Sequence, residues 1–225
     1  MGDRNTEISA KVSFVPGFGP PDQFSGSEET TYAAQGLEIS ASYNVLGKAI
    51  GDDTFFLGPR LDLSATGVRA ARYRSQVRLP VNDLNGLDER FNNPEYRATE
   101  IVDSVHFVTG RAGVSVGIGP EADLGMPTGF RLFMTAGPEM SDADYTIQYL
   151  EPGRRDQRQD GVTALSLKGG VELLVMMEIP PGMGVFHEPT DFGLILGIAA
   201  LRTFNPITRE SEAAPAFDAG LMVRF

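Results

Sequence analysis

The sequence predicts an all-β fold, an antiparallel up-and-down transmembrane β-barrel of about eight strands. Three observations lead to this prediction: apolar and polar residues alternate in most of eight strand-like segments, the connectors alternate between long and short, and the polar face of the segments carries charge. Alternation with period two places successive side chains on opposite faces of a strand. We predict one barrel domain over residues 6–225, after a flexible N-terminal tail at residues 1–5.

The first three segments alternate most regularly. In TEISAKVSF, which starts at Thr6, Ile8 and Val12 lie on one face and Glu7 and Lys11 lie on the other. LEISASYNV and TFFLGPRLDLSATG follow the same pattern further along the chain. Each of these segments therefore predicts a strand with one apolar and one polar face.

The next five segments complete the barrel. The fourth covers residues 97–121, and its alternation requires one spare residue near Gly110, where we predict a β-bulge. The fifth and sixth start at Phe130 and Leu165 and again alternate. The seventh, residues 191–203, is apolar on both faces, and the eighth is the C-terminal PAFDAGLMVRF.

The connectors form a second pattern. Those after the second, fourth and sixth segments are mostly short and rich in Gly or Pro, at residues 47–53, 122–128 and 178–190. Those after the first, third, fifth and seventh are mostly longer, polar and charged, at residues 15–30, 70–96, 151–160 and 204–213. An outer-membrane barrel has this asymmetry, with long outer loops, short periplasmic turns and both termini on the periplasmic side. Phe225 then lies at the periplasmic interface and resembles the C-terminal assembly signal of such barrels.

The charges on the polar face distinguish a membrane barrel from a soluble one. A soluble barrel has an apolar interior, whereas a membrane barrel turns its polar residues inward. The interior of an eight-stranded barrel is only wide enough for side chains, so charges inside it have to pair. We therefore predict a plugged lumen whose charge network contains Lys11, Glu38, Arg60, Asp62, Arg111, Glu121, Arg131, Glu139, Lys168, Glu172, Asp218 and Arg224, with Glu7 on the same face. A soluble antiparallel sandwich is the alternative.

Composition excludes several classes of protein. The 19 basic and 30 acidic residues give a net charge of -11, whereas nucleic-acid binding needs a basic surface, so we predict no nucleic-acid partner. Cysteine is absent, which excludes disulfides and thiolate sites. No apolar run is long enough for a membrane-spanning helix, and the absence of tryptophan leaves Phe and Tyr for the interfacial girdles. We expect a Gram-negative outer-membrane location, with a signal peptide removed before this chain begins.

Few residues point to catalysis or metal binding. His106 lies in VDSVHFV, where Ser104 shares its strand face and Asp103 faces the opposite way. His187 lies in a predicted turn. The acidic clusters GSEET, SDAD and ESE lack the spacing of a calcium loop, and we interpret them as solvated loop charge. We predict no catalytic residues, no metal and no cofactor.

Several stretches resemble the MipA/OmpV family of outer-membrane proteins. PDQFSGSEETTY is similar to the start of that family's second strand, and NGLDE and the terminal Phe225 are similar as well. FRLFMTAGPEMSDADYTIQYL resembles a strand in which Ala-Gly-Pro precedes an acidic pair and two tyrosines, here Ala136, Gly137, Pro138, Asp142, Asp144, Tyr145 and Tyr149. The chain departs from the family because it lacks tryptophan and has no room for an additional hairpin. The resemblance implies a non-enzymatic role, either scaffolding of murein-remodelling enzymes or adhesion through the outer loops.

The sequence leads to one preferred function and two alternatives. The preferred hypothesis is a structural, scaffold or surface-interaction protein. Its expected partners are outer-membrane lipids and lipopolysaccharide, the barrel assembly machinery, and periplasmic murein enzymes or an envelope complex. The first alternative is a narrow or lateral channel for small solutes or hydrophobic molecules, favoured by Gly113, Gly117 and Gly119. The second is a lipid A-modifying enzyme that uses Ser104 and His106.

Overall fold

The structure is a computed structural model that describes residues 6–18, 32–50, 53–78, 97–120, 128–149, 155–179, 190–205 and 210–225. Its strands are β1 (Thr6–Phe18), β2 (Tyr32–Tyr43), β3 (Leu46–Ile50), β4 (Asp53–Arg78), β5 (Arg97–Pro120), β6 (Thr128–Tyr149), β7 (Arg155–Ile179), β8 (Thr190–Asn205) and β9 (Glu210–Arg224). In this part of the chain, no helix is both long and apolar enough to span a membrane.

The strands form one antiparallel sheet that closes on itself. Their order is β2-β1-β9-β8-β7-β6-β5-β4-β3, and β2 also pairs with β4. β2 pairs with β4 as far as Ser42↔Arg60, and β3 continues along β4 from Leu46↔Leu57. β2 and β3 therefore act as one barrel strand, and the barrel has eight strands in all. This confirms the predicted up-and-down antiparallel barrel.

The two ends of the chain meet in the sheet. β1 pairs with β9 from Glu7↔Arg224 onwards. Beyond that pair, the Thr6 N–H donates to the main-chain oxygen of Phe225 at 3.1 Å, and the Phe225 N–H donates to the Thr6 carbonyl at 2.9 Å. We call this end of the barrel the terminal end. The opposite end, where β1 ends and β2 begins, is the loop end.

The alternation of the sequence sorts side chains between the lumen and the outer surface. On β6, Arg131 and Thr135 are buried inside, whereas Leu132 and Met134 are exposed outside. All eight barrel strands expose apolar side chains in this way, among them Val12, Ile39, Leu61, Val114, Met134, Val171, Leu196 and Leu221. We call this outer surface the apolar belt. Its polarity is the reverse of that of a soluble barrel.

The prediction of a β-bulge near Gly110 is wrong. β5 keeps a continuous register there with both of its neighbours. The alternation needs no spare residue, because Val105 and Phe107 are buried in the lumen and do not lie on the outer surface. The shift in the pairing of β5 with β6 lies instead between Val102 and Ser104.

Several strands are longer than the sequence predicts. The predicted turn at residues 47–53 is mostly strand, and β4 runs through Ala70 to Arg78, within the predicted outer loop. β7 begins at Arg155, which also lies in a predicted loop. These stretches form strands because a neighbouring strand satisfies the hydrogen bonds of their main-chain groups. This pairing outweighs the low intrinsic β-propensity of their polar residues. The predicted features at residues 1–5, 79–96, Glu121 and His187 lie outside the described residues.

Four strands extend past the closed barrel at the loop end. β2 stops pairing with β4 at Gly67, and β8 stops pairing with β7 at Leu167. β4, β5, β6 and β7 continue beyond these points and pair with one another as far as Arg78 on β4 and Arg155 on β7. They form a four-stranded sheet, which we call the projecting sheet, on one side of the barrel.

Candidate functional site

The side chains that the structure describes in the lumen form three layers. A charged layer lies in the middle, one apolar layer lies toward the loop end, and a second apolar layer lies toward the terminal end. The charged layer consists of buried residues from seven of the barrel strands, namely Lys11, Glu38, Arg60, Asp62, Arg111, Arg131, Lys168, Glu172 and Asp218. Because these side chains converge from around the barrel, opposite charges meet across it.

Glu172 on β7 is one centre of the charged layer. Its Oε2 accepts hydrogen bonds from Arg60 Nη1 and Arg131 Nε, both at 2.7 Å. Its Oε1 accepts hydrogen bonds from Arg60 Nη2 at 2.8 Å and Lys11 Nζ at 2.9 Å. The bidentate contact with Arg60 is a strong and geometrically specific form of ion pair. One carboxylate thus connects β7 to β1, β4 and β6.

Glu38 on β2 is a second centre. Lys11 Nζ lies 2.7 Å from its Oε1, while Arg111 Nη2 and Lys168 Nζ donate to its Oε2 at 2.7 and 2.8 Å. Lys168 Nζ also lies 2.7 Å from Asp218 Oδ2 on β9. Since Lys11 contacts both Glu38 and Glu172, the two centres belong to one continuous network.

Gly197 on β8 provides space for this network. A Cβ atom at this position would lie 3.3 Å from Asp218 Cβ and 3.4 Å from Glu172 Cγ. The glycine therefore allows the side chains of the two flanking strands to approach each other inside the barrel.

The ring of Phe133 lies among the cations of the charged layer. The Arg60 guanidinium carbon is 4.0 Å from the ring centroid, and Lys11 Nζ and Lys168 Nζ are 5.8 and 6.0 Å away. A desolvated cation over an aromatic face gains about 2 kcal/mol. The ring thus stabilises three cations that would otherwise repel one another.

Glu7 extends the network to the terminal end. It forms an ion pair with Arg131, and Arg224 Nε donates to its Oε1 at 2.7 Å. The Asn44 amide and the Ser42 hydroxyl donate to the same carboxylate. The Arg224 side chain is 20% exposed, so the network reaches the mouth of the lumen here.

Two apolar layers enclose the charged layer. Toward the terminal end, Phe56 lies over Gly117 of the neighbouring strand, where a Cβ atom would be only 2.1 Å from Phe56 Cζ. The glycine thereby lets the ring lie against the barrel wall. The terminal-end layer is Phe56, Leu174, Met176, Ile195 and Met222, and the loop-end layer is Val15, Ala34, Val105, Phe107, Ala143, Ala199 and Ala216. Phe133, whose ring lies among the cations, belongs to the same cluster as the loop-end layer. In the described part of the lumen, packed apolar side chains therefore lie on both sides of the charges.

Glu139 has a different environment from the other buried carboxylates. It accepts hydrogen bonds from the Thr203 hydroxyl, from the Phe204 main-chain N–H at 3.0 Å and from Thr109 Oγ1 at 3.4 Å. Among the residues that the structure describes, its partners are hydroxyl and amide groups, not cations. A cavity of about 10 Å³ beside it, which Arg111 also lines, has room for about one water molecule.

The structure brings most of the predicted charged residues together. Nine of them form the charged layer, and Arg224 joins this layer through Glu7 at the mouth. Glu139 lies apart from the ion pairs, and Glu121 lies outside the described residues. Sequence reasoning missed the two apolar layers. The segment at 191–203, apolar on both faces, was the signal for them, because it places Ile195 and Ala199 inside the barrel.

Ser104 and His106 lie near the base of the projecting sheet, beside Asp144. Ser104 Oγ donates to Asp144 Oδ2 at 2.7 Å, and His106 Nε2 lies 4.0 Å from the same oxygen. In a catalytic triad, the serine hydroxyl donates to the histidine and the histidine donates to the carboxylate. The serine here donates directly to the acid, which is not the geometry of an activated nucleophile.

Phe225 lies at the terminal end and has an exposed side chain. Its main-chain bonds to Thr6 hold the end of β9 against β1. The role of Phe225 as an assembly signal stays a prediction.

The strand pairing defines a closed eight-stranded antiparallel barrel, and buried charged side chains lie in its lumen. No protein-family model matches the sequence, and no curated protein matches it significantly. The chain is similar to Ail, the attachment invasion locus protein of Yersinia pestis, in complex with the heparin analogue sucrose octasulfate, with a TM-score of 0.43 and 10% identity over 98% of this chain and 99% of that chain. It is similar to Neisserial surface protein A with a TM-score of 0.45 and 12% identity over 97% and 95% of the two chains. The Ralstonia pickettii toluene transporter TbuX matches with a TM-score of 0.23 and 7% identity over 100% and 90%.

Proposed function

We propose that this chain is an outer-membrane barrel with a closed lumen, which acts through its surfaces as a structural, scaffold or surface-interaction protein. The observation that carries the proposal is the reversed polarity of the barrel. Charged side chains such as Asp62 and Glu172 have no exposed surface, whereas large apolar side chains such as Met134 and Leu37 are about two-thirds exposed, at 67% and 66%.

The apolar belt supports a position in a membrane. Soluble monomers rarely expose a contiguous apolar patch of more than a few hundred Å², whereas this belt surrounds the whole barrel. Along β6, the outward positions from Phe130 to Met140 are Phe, Leu, Met, Ala, Pro and Met. That length corresponds to the roughly 9–11 residues with which a tilted strand crosses the hydrocarbon core. Lipid is therefore the solvent that fits the belt.

The lumen supports a role other than transport. A solute would have to displace the loop-end apolar layer, the charged layer and the terminal-end apolar layer in turn. Removing one partner of a buried ion pair costs about 3–5 kcal/mol, so an opening that separates several pairs at once is strongly unfavourable. The geometry of Ser104 and Asp144 does not favour the lipid A-modifying alternative either.

Two surfaces are then available for function. The projecting sheet supports interactions outside the cell, and the terminal end faces the periplasm. The resemblance to the MipA/OmpV family favours a periplasmic scaffold for murein enzymes, and this family assignment is part of the proposal.

A pair of arginine substitutions tests the membrane position. Leu132→Arg places a charge in the centre of the apolar belt, and Gln159→Arg places one at an exposed position on the projecting sheet. In a bilayer, the first change should lower the free energy of unfolding by about 2–4 kcal/mol, and the second should change it little. Both are measured by urea unfolding in phospholipid vesicles. Equal tolerance of the two changes would contradict the proposal, because an exposed leucine in water accepts arginine easily.

Conductance tests the closed lumen. Protein that shows the folded mobility shift between unboiled and boiled samples on a detergent gel is inserted into a planar bilayer. We expect no discrete openings, with an open porin as the positive control. Steady single-channel steps would reject the closed lumen and favour the channel alternative.

A further inference from the structure

A groove of about 600 Å³ crosses the outer surface of the barrel, from β1 over β9, β8 and β7 to β6. It lies within the apolar belt, and we call it the belt groove. Its volume falls within the roughly 300–1,000 Å³ of sites that hold small organic ligands. The outer wall of a barrel curves away from its surroundings, so a concave surface of this size is a distinct feature of the belt.

Two rows of outward side chains form the sides of the belt groove. In each row, every residue pairs with the next one on the neighbouring strand. The first row consists of Val12, Ala219, Leu196, Leu173 and Phe130. The second row consists of Phe14, Phe217, Ile198 and Val171. Every side chain of the two rows is apolar.

The floor of the belt groove is low on β8 and β9. Gly197 and Asp218 lie between the two rows and pair with each other. Gly197 has no side chain, and Asp218 directs its carboxylate into the lumen, where it contacts Lys168. Next to them, Ala219 adds only a methyl group. Main-chain atoms and one methyl group therefore form the deepest part of the groove.

The length of the belt groove corresponds to one acyl chain. The groove crosses four strand spacings of about 4.8 Å, which makes it about 19 Å long. Because barrel strands tilt by roughly 40°, a groove across them leans by roughly 50° from the barrel axis and covers about 12 Å of membrane depth. The hydrocarbon core is about 30 Å thick, so the chains of one leaflet fill about 15 Å.

The position of the groove selects the leaflet. On β6 it begins at Phe130, two residues after the strand starts at Thr128, which is the terminal-end margin of the apolar belt. On β1 it reaches Phe14, closer to the loop end. With the terminal end toward the periplasm, the groove starts at the headgroups of the periplasmic leaflet and ends inside the membrane. Phospholipid fills this leaflet of an outer membrane, whereas lipopolysaccharide fills the outer leaflet.

We propose that the belt groove binds one acyl chain of a phospholipid from the periplasmic leaflet. Lipid chains and the belt are equally apolar, so close packing and not the hydrophobic effect has to favour the site. A chain in the groove contacts both rows and the floor, whereas a chain on a convex wall is contacted on one side, and these small attractions add up. A second barrel presents a convex surface, which covers the groove without filling it. The inference rests on the proposed outer-membrane position.

Two pairs of variants of the full chain test the inference. Ala219→Phe fills the floor of the groove, and its matched control is Ala41→Phe, at an exposed outward alanine of β2. Phe130→Ala removes the side chain at the lower end, and its control is Tyr43→Ala, at an exposed aromatic residue at the terminal end of β2. The gel mobility shift shows whether each variant is folded.

Each protein is extracted from the outer membrane of a Gram-negative host in mild detergent, washed, and measured by native mass spectrometry. The added mass identifies a retained lipid as phospholipid or lipopolysaccharide, and it also reveals a second copy of the chain. We expect the wild type and both controls to retain one phospholipid. Ala219→Phe and Phe130→Ala should each retain at least about fivefold less, because each loses part of the packing around the chain.

Four results would overturn the inference: no retained lipid on the wild type, lipopolysaccharide in place of phospholipid, a dimer without lipid, or unchanged retention by the folded Ala219→Phe and Phe130→Ala variants. The arginine pair at Leu132 and Gln159 tests the membrane position separately. If Leu132→Arg alone destabilises the barrel in vesicles and no phospholipid is retained, the belt groove inference fails while the proposed function stands.

Discussion

Arg60 and Glu172 face each other across the lumen and form two parallel hydrogen bonds, from Nη1 to Oε2 at 2.7 Å and from Nη2 to Oε1 at 2.8 Å. Arg60 also donates from Nε to Asp62 Oδ1 at 2.7 Å. The buried guanidinium of Arg60 thus donates hydrogen bonds to two carboxylates, those of Glu172 and Asp62. The pair lies at the centre of the charged layer, so its energetics indicate how firmly the lumen is closed.

Loss of the Arg60 guanidinium should destabilise the barrel strongly. In Arg60→Gln, Glu172 loses its bidentate partner and Asp62 loses its cation, so buried negative charge is left uncompensated. We expect the free energy of unfolding to fall by about 3–5 kcal/mol, measured by urea unfolding in phospholipid vesicles. Arg202→Gln is the matched control, because Arg202 is exposed on β8, and it should show no measurable change. A similar stability of the two variants would show that the charged layer is hydrated.

Lys168 and Asp218 should be coupled energetically. Lys168→Met leaves Asp218 without the cation that it contacts, and Asp218→Leu leaves Lys168 with Glu38 alone, whereas the double variant removes both charges of the pair. We expect the double variant to be more stable than the sum of the single effects predicts, by about 1–3 kcal/mol. The quantity is obtained from a double-mutant cycle of unfolding free energies. Additive effects would mean that the two side chains do not interact in the folded barrel.

Truncation of the apolar layers should cost stability without opening the barrel. Phe107→Ala removes the largest side chain of the loop-end layer, and Phe56→Ala removes the aromatic ring of the terminal-end layer. Each should lower the free energy of unfolding by about 3–5 kcal/mol. The combined variant should still conduct no current in a planar bilayer, because the charged layer between them is intact. Discrete openings in this variant would show that the apolar layers alone close the lumen.

Two glycines should differ in their tolerance of alanine. At Gly117 a Cβ atom would lie 2.1 Å from Phe56 Cζ, whereas at Gly161 the nearest atom is 3.9 Å away. Gly117→Ala should therefore displace the Phe56 ring and cost about 1–3 kcal/mol. Gly161→Ala should be neutral or slightly stabilising, because alanine restricts the unfolded chain. Thermal unfolding of the two variants in the same detergent compares them directly, and equal melting temperatures would contradict the described position of Phe56.

The barrel could be predicted from the sequence because the alternation of apolar and polar residues is a local signal. Alternation needs only neighbouring residues, so Glu7 and Lys11 could be assigned to one face and Ile8 and Val12 to the other. The structure places these residues accordingly. The strand number followed from the count of segments, and the confirmed fold class followed from the strand number, the connectors and the charges on the polar face.

The residues that face the lumen were harder to predict, because both polar and apolar side chains lie there. Phe107 and Ile195 are apolar and face inward, so hydrophobicity alone does not separate the two faces on β5 and β8. The error at Gly110 had this cause. The partners in each ion pair also depend on the shear of the closed sheet. Lys11 and Glu172 are 161 residues apart in the chain, so the local alternation of residues does not predict that they pair.

The charged layer has a consequence for how the barrel assembles. Glu172 receives its partners from β1, β4 and β6, which lie up to 161 residues away in the chain, so the network is complete only when the first and last strands have met. A partly closed sheet would expose these charges to lipid. We therefore expect insertion and closure to be one cooperative kinetic event, in which water leaves the lumen last and strand-by-strand intermediates do not accumulate.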